Sequence, residues 1–290
     1  MSTTTATSAR RVGARSSRAL GGVVAHVTLL ALAAFGLLPV VVMVLTSFKP
    51  ADQIFRIPAT FLPENPTLDN YVRVFTDSSM PAALTNSVVA GLLVTVITLM
   101  LGGTAGYAIA RMRFPGSGAV AVGLLLGQLL PVTVLLLPVF QIVVALDLID
   151  TIPGVALTHL TIVLPLVTWM ATTTFRGVPI ELEEAAMIDG CHRLRAVWSV
   201  VLPVAAASIA ALAIFAFIQS WNEFVFASVI TRSLDAKTAP VALTDFAGQF
   251  EVDWGSTTAA ATVIFLPLTI AFLLLQRYFV RGMSAGAVKG

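Results

Sequence analysis

The sequence predicts an all-α membrane protein with six transmembrane helices and both termini on the cytoplasmic side. Of its 290 residues 57% are hydrophobic and only 11% are charged, whereas a soluble domain carries about 25% charged residues. The mean hydropathy is +0.93, so the side chains needed to coat a soluble fold of this length are missing. A hydrocarbon core about 30 Å thick takes roughly 20 helical residues to cross. Six stretches free of Asp, Glu, Lys and Arg are long enough: Ala19–Phe48, Ser78–Ala110, Phe114–Leu146, Thr151–Phe175, Ala196–Asn222 and Trp254–Gln276. They are continuously apolar, unlike the alternating segments of about 10 residues that build a membrane barrel.

The placement of basic residues sets the orientation, because Lys and Arg collect in cytoplasmic loops. With the N-terminus inside, Arg10, Arg11, Arg15, Arg18, Arg111, Arg113, Arg176, Arg193, Arg195, Arg277, Arg281 and Lys289 fall inside, twelve of the seventeen basic residues. Lys49, Arg56, Arg73, Arg232 and Lys237 fall outside, beside ten acidic residues. The basic start followed by an apolar run imitates a secretory signal, but signal cores span about 7–15 residues. The run here is far longer and reads as an uncleaved first helix. Residues 1–18, rich in Ser, Thr, Ala and Arg, have little to bury and are expected to form a disordered basic cytoplasmic tail. A formal net charge of +2 gives no reason to expect nucleic acid, and membrane lipid is the surrounding medium.

Between the spans, the first outer segment, Lys49–Asp77, holds Pro50, Pro58, Pro63 and Pro66, which exclude one regular element; Leu68–Phe75 suits a short surface helix. Arg111–Gly118 and Asp147–Pro153 read as turns. The one long inner connection is 176–203. There Pro179 suits a first helical position, Glu181, Glu183 and Glu184 place negative charge near a helix start, and Gly190 suits a C-terminal stop. After the stop, Leu194, Val197, Trp198 and Val201 recur at i, i+3, i+4 and i+7 and predict a second helix with one apolar stripe. The last outer loop, Arg232–Asp253, mixes acidic residues with Phe246 and Phe250, and suits either a soluble partner or a solvated loop.

Several chemistries are excluded. A phosphate-binding loop needs Gly-Lys-Ser/Thr, and Lys49, Lys237 and Lys289 follow Phe48, Ala236 and Val288. His26, His159 and His192 show no metal-ligand spacing. One cysteine, Cys191, cannot form an internal disulfide. The only carboxylate inside an otherwise apolar stretch is Glu223, about 30 Å along a helix from Pro203 at 1.5 Å per residue. It reads either as part of a polar path with Gln219 and Asn222 or as an interhelical hydrogen bond or cap, and the sequence leaves both open.

The inner connection reads Glu184-Ala185-Ala186, three residues, Gly190, nine residues, then Val200-Val201-Leu202-Pro203. This resembles the Glu-Ala-Ala loop of importer-type ABC permeases, with Val200 in place of the family's Ile. Pro66-Thr67-Leu68-Asp69-Asn70-Tyr71, Tyr107-Ala108-Ile109-Ala110-Arg111 with Phe114-Pro115-Gly116, Trp221-Asn222-Glu223-Phe224 and the closing Ala285–Gly290 are similar to the carbohydrate-uptake branch, the maltose-transporter type. The resemblance covers nearly everything from residue 19 to 290. It implies a six-helix permease domain over 19–290, with 176–203 as a cytoplasmic coupling loop. It implies partners too: a second, non-identical permease chain, two ATPase subunits and an extracellular solute-binding protein. The coupling residues it implies are Glu183, Glu184, Ala185, Ala186, Asp189, Gly190, Leu202 and Pro203. No catalytic residue, metal or cofactor is then expected in this chain, and ATP and Mg belong to the partner subunits.

Candidates for a translocation path are Asn86, Gln128, Gln219, Asn222 and Glu223, with Gln141 a further polar group in the spans; each can equally join two helices. A secondary carrier would want interrupted helices at matching positions of two halves and more buried charge. A membrane enzyme would want an acidic or His cluster at one membrane face. Within the permease reading, glycerol phosphate, an amino acid or a peptide are alternatives to a sugar. Reporter fusions after Arg113 and Arg195 are expected to report cytoplasm, and fusions near Glu64 and Asp245 the exterior. An exterior signal after Arg195 would overturn the orientation.

Overall fold

The computed structural model describes the backbone of residues 6–112, 114–248 and 252–287, and the side chains of 22–112, 114–248, 252–270, 272 and 273. Arg113, Phe250 and Glu251, residues 288–290 of the closing run, and the side chains of residues 285–287 and of the basic tail lie outside the described residues. Helix α1 is Ala6–Ser47, so its backbone begins within the 1–18 segment. The other helices are α2 (Ala51–Ile54), α3 (Asp69–Thr76), α4 (Met80–Arg111), α5 (Ser117–Gln128), α6 (Val132–Ala145), α7 (Ile152–Gly177), α8 (Ile180–Ile188), α9 (Arg193–Ala196), α10 (Leu202–Trp221), α11 (Val225–Ile230), α12 (Ala239–Ala242) and α13 (Trp254–Ala287).

Among the described residues four helical stretches are long and apolar enough to cross a membrane: Gly22–Ser47, Met80–Arg111, Ile152–Gly177 and Arg193–Trp221. A fifth candidate is the pair α5 and α6, and Trp254–Ile270 is a shorter apolar part of α13. The stretch expected to be one span over Phe114–Leu146 is therefore not one straight helix, because α5 and α6 meet at 104°. Pro131 has no N–H to continue the α5 ladder, and it pushes Leu130 away from helical geometry. Gln128, at the end of α5, donates from Nε2 to the Ile162 carbonyl of α7 at 3.0 Å, which ties the bend to the bundle.

In lipid there is no water to expel from between helices, so close packing rather than hydrophobicity draws them together. The closest seam joins α4 to α7. A Cβ on Gly102 would lie 2.9 Å from Thr168 Oγ1, and one on Gly106 would lie 2.7 Å from the Ala171 Cβ and 2.9 Å from the Thr172 nitrogen. Gly102-x-x-x-Gly106 thus places two side-chain-free positions one turn apart on the face that meets α7. The main core forms around this seam from Val94 and Tyr107 of α4, Val163, Val167, Ala171 and Phe175 of α7, and Ala205, Leu212 and Ala216 of α10. A second cluster joins Val74, Met80 and Ala83 to Ala239, Ala242, Ala259 and Ala260. By contrast α1 packs beside α13 and leaves Leu30 and Phe35 at 70% and 77% exposure, as suits a helix solvated by hydrocarbon.

The inner connection also differs from expectation. The second helix is not separate, because α9 continues through a π-helical segment, Val197–Val201, directly into α10. Proline at 203 cannot donate to the carbonyl four residues back and its ring crowds that carbonyl; the wider π turn before it accommodates both effects. The expected stripe is split as a result: Val201 is buried, whereas Leu194 and Trp198 are 68% and 70% exposed. Pro179 sits at the N-cap of α8, one position before its first helical residue.

Gly106→Val should cost at least about 1–3 kcal/mol through overpacking. Nothing lies within 4 Å of a Cβ built on Gly103, so Gly103→Ala should be neutral or stabilising by up to about 1 kcal/mol. Thermal unfolding of the two detergent-solubilised variants checks the contrast; equal melting temperatures would show that the seam is not tight.

Candidate functional site

The helix α8 closes one end of the bundle, where α4 and α7 also end. It is terminated by a hydrogen-bonded turn in which the Gly190 amide donates to the Met187 carbonyl at 3.1 Å and the Cys191 amide to Ala186 at 3.0 Å. Gly190 has φ +89°, a left-handed conformation that a side chain would strain, so the stop read from sequence is met. This turn leaves Glu184, Ala185, Ile188, Asp189 and Gly190 exposed and Ala186 half-buried. Ile188, at 86% exposure, is a large apolar side chain presented outward.

Glu183 points the other way. Its side chain is 2% exposed, within 3.5 Å of Arg111 Nε and 3.3 Å of Arg193 Nε. The Tyr107 hydroxyl donates to Glu183 Oε1 at 2.5 Å, and Arg111 Nη2 donates to the Val178 carbonyl at 2.6 Å. The ring of Phe175 meets Tyr107 edge-on at 5.6 Å. Of the eight coupling candidates, therefore, Glu183 is gathered into the bundle. Leu202 and Pro203 lie beyond the π turn at the start of α10, half-buried and exposed respectively.

The polar residues of the spans do not form one cluster. Asn86 Nδ2 donates to the carbonyls of Asp235 and Lys237 at 2.5 and 3.0 Å, holding the loop after α11 against α4. Gln128 bonds α7 as described above. Gln219 is half-buried, and Asn222 and Gln141 are exposed. Glu223 lies in the break between α10 and α11, where Oε1 accepts from the Phe226 amide at 2.9 Å and Oε2 from the Ala227 amide at 3.1 Å. Oε2 is also 3.1 Å from Nε2 of the fully buried His159, whose Nδ1 is 2.8 Å from Ser220 Oγ. The carboxylate thus caps the N-terminus of α11 and joins it to α7.

At this opposite end, Asn70 donates to the carbonyls of Ser47 and Lys49, both at 2.9 Å, and accepts from Arg73 at 2.6 Å. A Cβ on Gly255 would lie 2.5 Å from Asn70 Oδ1, so α1, α3 and α13 meet on one amide. Asp150, at φ 59°, accepts from the amides of Arg232 and Ser233 at 2.7 and 2.9 Å. Burial pushes its carboxyl up, but those hydrogen bonds outweigh it and hold the group below its ordinary value of 3.8.

Tyr107, Arg111, Arg193, His159, Ser220 and Asn70 were not among the site residues expected. Tyr107 and Arg111 are four apart on one helix face and Gly102 and Gly106 form a small-residue pair, signals that are visible in the sequence. Nothing in the sequence pairs His159 with Glu223. Among the described residues no group of His, Cys, Asp or Glu could hold a metal ion.

The described helices thus carry a small-residue seam, a helical stop that presents exposed residues at one end, and buried ion pairs at both ends. Residues 6–285 match the family described as binding-protein-dependent transport system inner membrane component, and the chain belongs to that family. It is similar to the trehalose transport system permease protein SugB of Mycobacterium tuberculosis, 39% identical and covering 88% of this chain and 93% of the relative. It is also similar to the sulfoquinovosyl glycerol transport system permease protein SmoH of Agrobacterium fabrum, 33% identical and covering 88% and 90%. A crystal structure of a bacterial ABC transporter that imports the acidic polysaccharide alginate has the same fold, with a TM-score of 0.78 at 21% identity over 91% of this chain and 98% of that one.

Glu223→Gln replaces one capping oxygen by an amide NH₂ that cannot accept from a backbone amide. Leaving buried groups unpaired should cost about 1–3 kcal/mol. Abundance or thermal stability of the complex should fall while apparent solute affinity stays level. Altered affinity at unchanged abundance would instead place Glu223 on the path.

Proposed function

We propose that this chain is one of two permease subunits of an ATP-driven, binding-protein-dependent importer of a sugar or related polar solute. The observation that carries the reading is the loop itself. Glu184-Ala185-Ala186 falls on α8, whose Gly190 turn leaves Glu184, Ala185 and Asp189 exposed, and Leu202-Pro203 opens α10 at the expected spacing. Two alanines let a partner surface approach closely, and the positive φ at Gly190 aims the helix end outward. The sugar assignment is supported by the relatives, described as permeases for trehalose and sulfoquinovosyl glycerol.

In this reading the bundle has six spans, with the bent pair α5 and α6 as the third, and both termini are cytoplasmic. The partners are a second permease chain, two ATPase subunits that use ATP and Mg, and an exported protein that delivers the solute. Closure of the ATPase subunits pushes on 176–203 and switches the bundle between inward and outward access. Gln219 and Asn222, near the break after α10, are the polar groups of the original five that no other element claims by a hydrogen bond described above, and they are the better path candidates.

The test is Ala186→Glu in the full transporter. A carboxylate forced into a close small-residue contact must be desolvated, at a cost of several kcal/mol. ATPase co-purification and solute uptake should fall together while the membrane level of the chain is unchanged. Normal uptake by a stably expressed variant would count against docking at this loop.

A further inference from the structure

The exposed and buried sides of α8 do different things. Its outward residues are free for a partner, whereas Glu183, in its first turn, is 2% exposed and held by groups on two other elements. Two of those groups, Tyr107 and Arg111, sit one turn apart at the end of α4. Tyr107 is fixed laterally by Phe175 of α7, and Arg111 is fixed by its bond to the Val178 carbonyl. A buried carboxylate facing two guanidinium groups cannot slide freely, because moving it away strands a charge in a medium that solvates it poorly. Helix α4 in turn has no room to shift against α7 at Gly102 and Gly106.

We propose that Glu183, Tyr107 and Arg111 form a mechanical joint: a push on α8 is passed through Glu183 to the end of α4, and through the glycine seam α4 and α7 move as one body. Glu183 is then a positioning residue that touches no ATPase subunit, while the neighbouring Glu184 faces the partner. Arg193 clamps the same carboxylate from the helix that leads into α10, so α10 follows through a second arm. The inference rests on the reading of 176–203 as the ATPase-docking loop and adds how motion leaves that loop.

The experiment uses the complete transporter in lipid vesicles, with Cys191→Ser and spin labels on Leu92→Cys of α4 and Phe265→Cys of α13, both exposed at 53% and 41%. The distance between labels is measured without nucleotide and after turnover of ATP with vanadate, which traps ADP and vanadate at the ATPase sites. In the parent the trapped state should shift that distance. In Tyr107→Phe, which loses only a hydroxyl, and in Glu183→Gln, ATPase subunits should co-purify as in the parent. The fraction of complexes showing the shift should nevertheless fall by about fivefold or more, the low end of typical coupling between sites. The double variant should be no worse than the poorer single one, because both remove the same link, and Glu183→Asp, which keeps the charge, should recover part of the shift. A shift undiminished in both single variants, or absent in the parent, would overturn the joint. Loss of ATPase binding by Glu183→Gln would overturn it too, by placing Glu183 on the docking face. Failure of the parent chain to co-purify with any ATPase would instead refute the proposed function.

Discussion

The approach of α4 to α7 at backbone distance is the constraint from which the rest of the bundle follows. Side-chain-free positions at Gly102 and Gly106 let two helices meet with almost nothing between them, and in lipid such contact is the main source of helix association. The same seam fixes the rotation of α4, so that the next turn presents Tyr107 to Phe175 and Arg111 to Val178. Only in that rotation does the buried carboxylate of α8 find its partners. Gly91 extends the principle to α10, since a Cβ there would lie 2.8 Å from the Phe217 ring.

The buried carboxylates that enter this apolar environment are matched by specific partners. Glu183 faces two arginines and a tyrosine at one end, and Glu223 faces a histidine and two backbone amides at the other. Between the two ends the buried side chains are mostly Val, Ala and Thr, and several threonines donate to carbonyls of their own helix, as Thr168 does to Leu164 at 2.7 Å. The charged residues therefore act where elements change direction, at the α7 to α8 corner and at the α10 to α11 break. Placing them there satisfies the free amides and carbonyls that a helix end exposes.

Much of this was legible before any coordinates. Charge gaps located the apolar stretches, Leu68–Phe75 foretold α3 to within a residue, and Glu183 to Gly190 foretold α8 and its stop. What was missed arises from interactions that the chain makes across long separations or between backbones. Pro131 marks a break in the third apolar stretch, yet an uncharged run of that length looks continuous when only charges are counted. The inner connection was read as ending at Pro203, although a π turn lets that proline sit inside one helix running from Arg193. The burial of Glu183 was hidden because its partners, Tyr107 and Arg111, lie more than seventy residues earlier. Ordinary helix-start arithmetic treats its charge as a dipole partner only. His159 looked like an isolated histidine because Ser220 and Glu223 belong to another helix and the turn beyond it.

The π-helical turn at Val197–Val201 sets the phase between two surfaces. An α-helix advances about 100° per residue at 3.6 residues per turn, and a π turn holds one residue more than that repeat needs. Everything before it is accordingly rotated by about one residue relative to everything after it. The face that α9 turns towards Glu183 is fixed by counting residues between Arg193 and Pro203, and the face that α10 turns towards α4 and α7 is fixed by packing. The two are independent settings on one continuous rod. Closing 197–201 to an ordinary α turn without removing a residue would leave the membrane core of α10 seated and swing Arg193 about a quarter-turn away from its carboxylate.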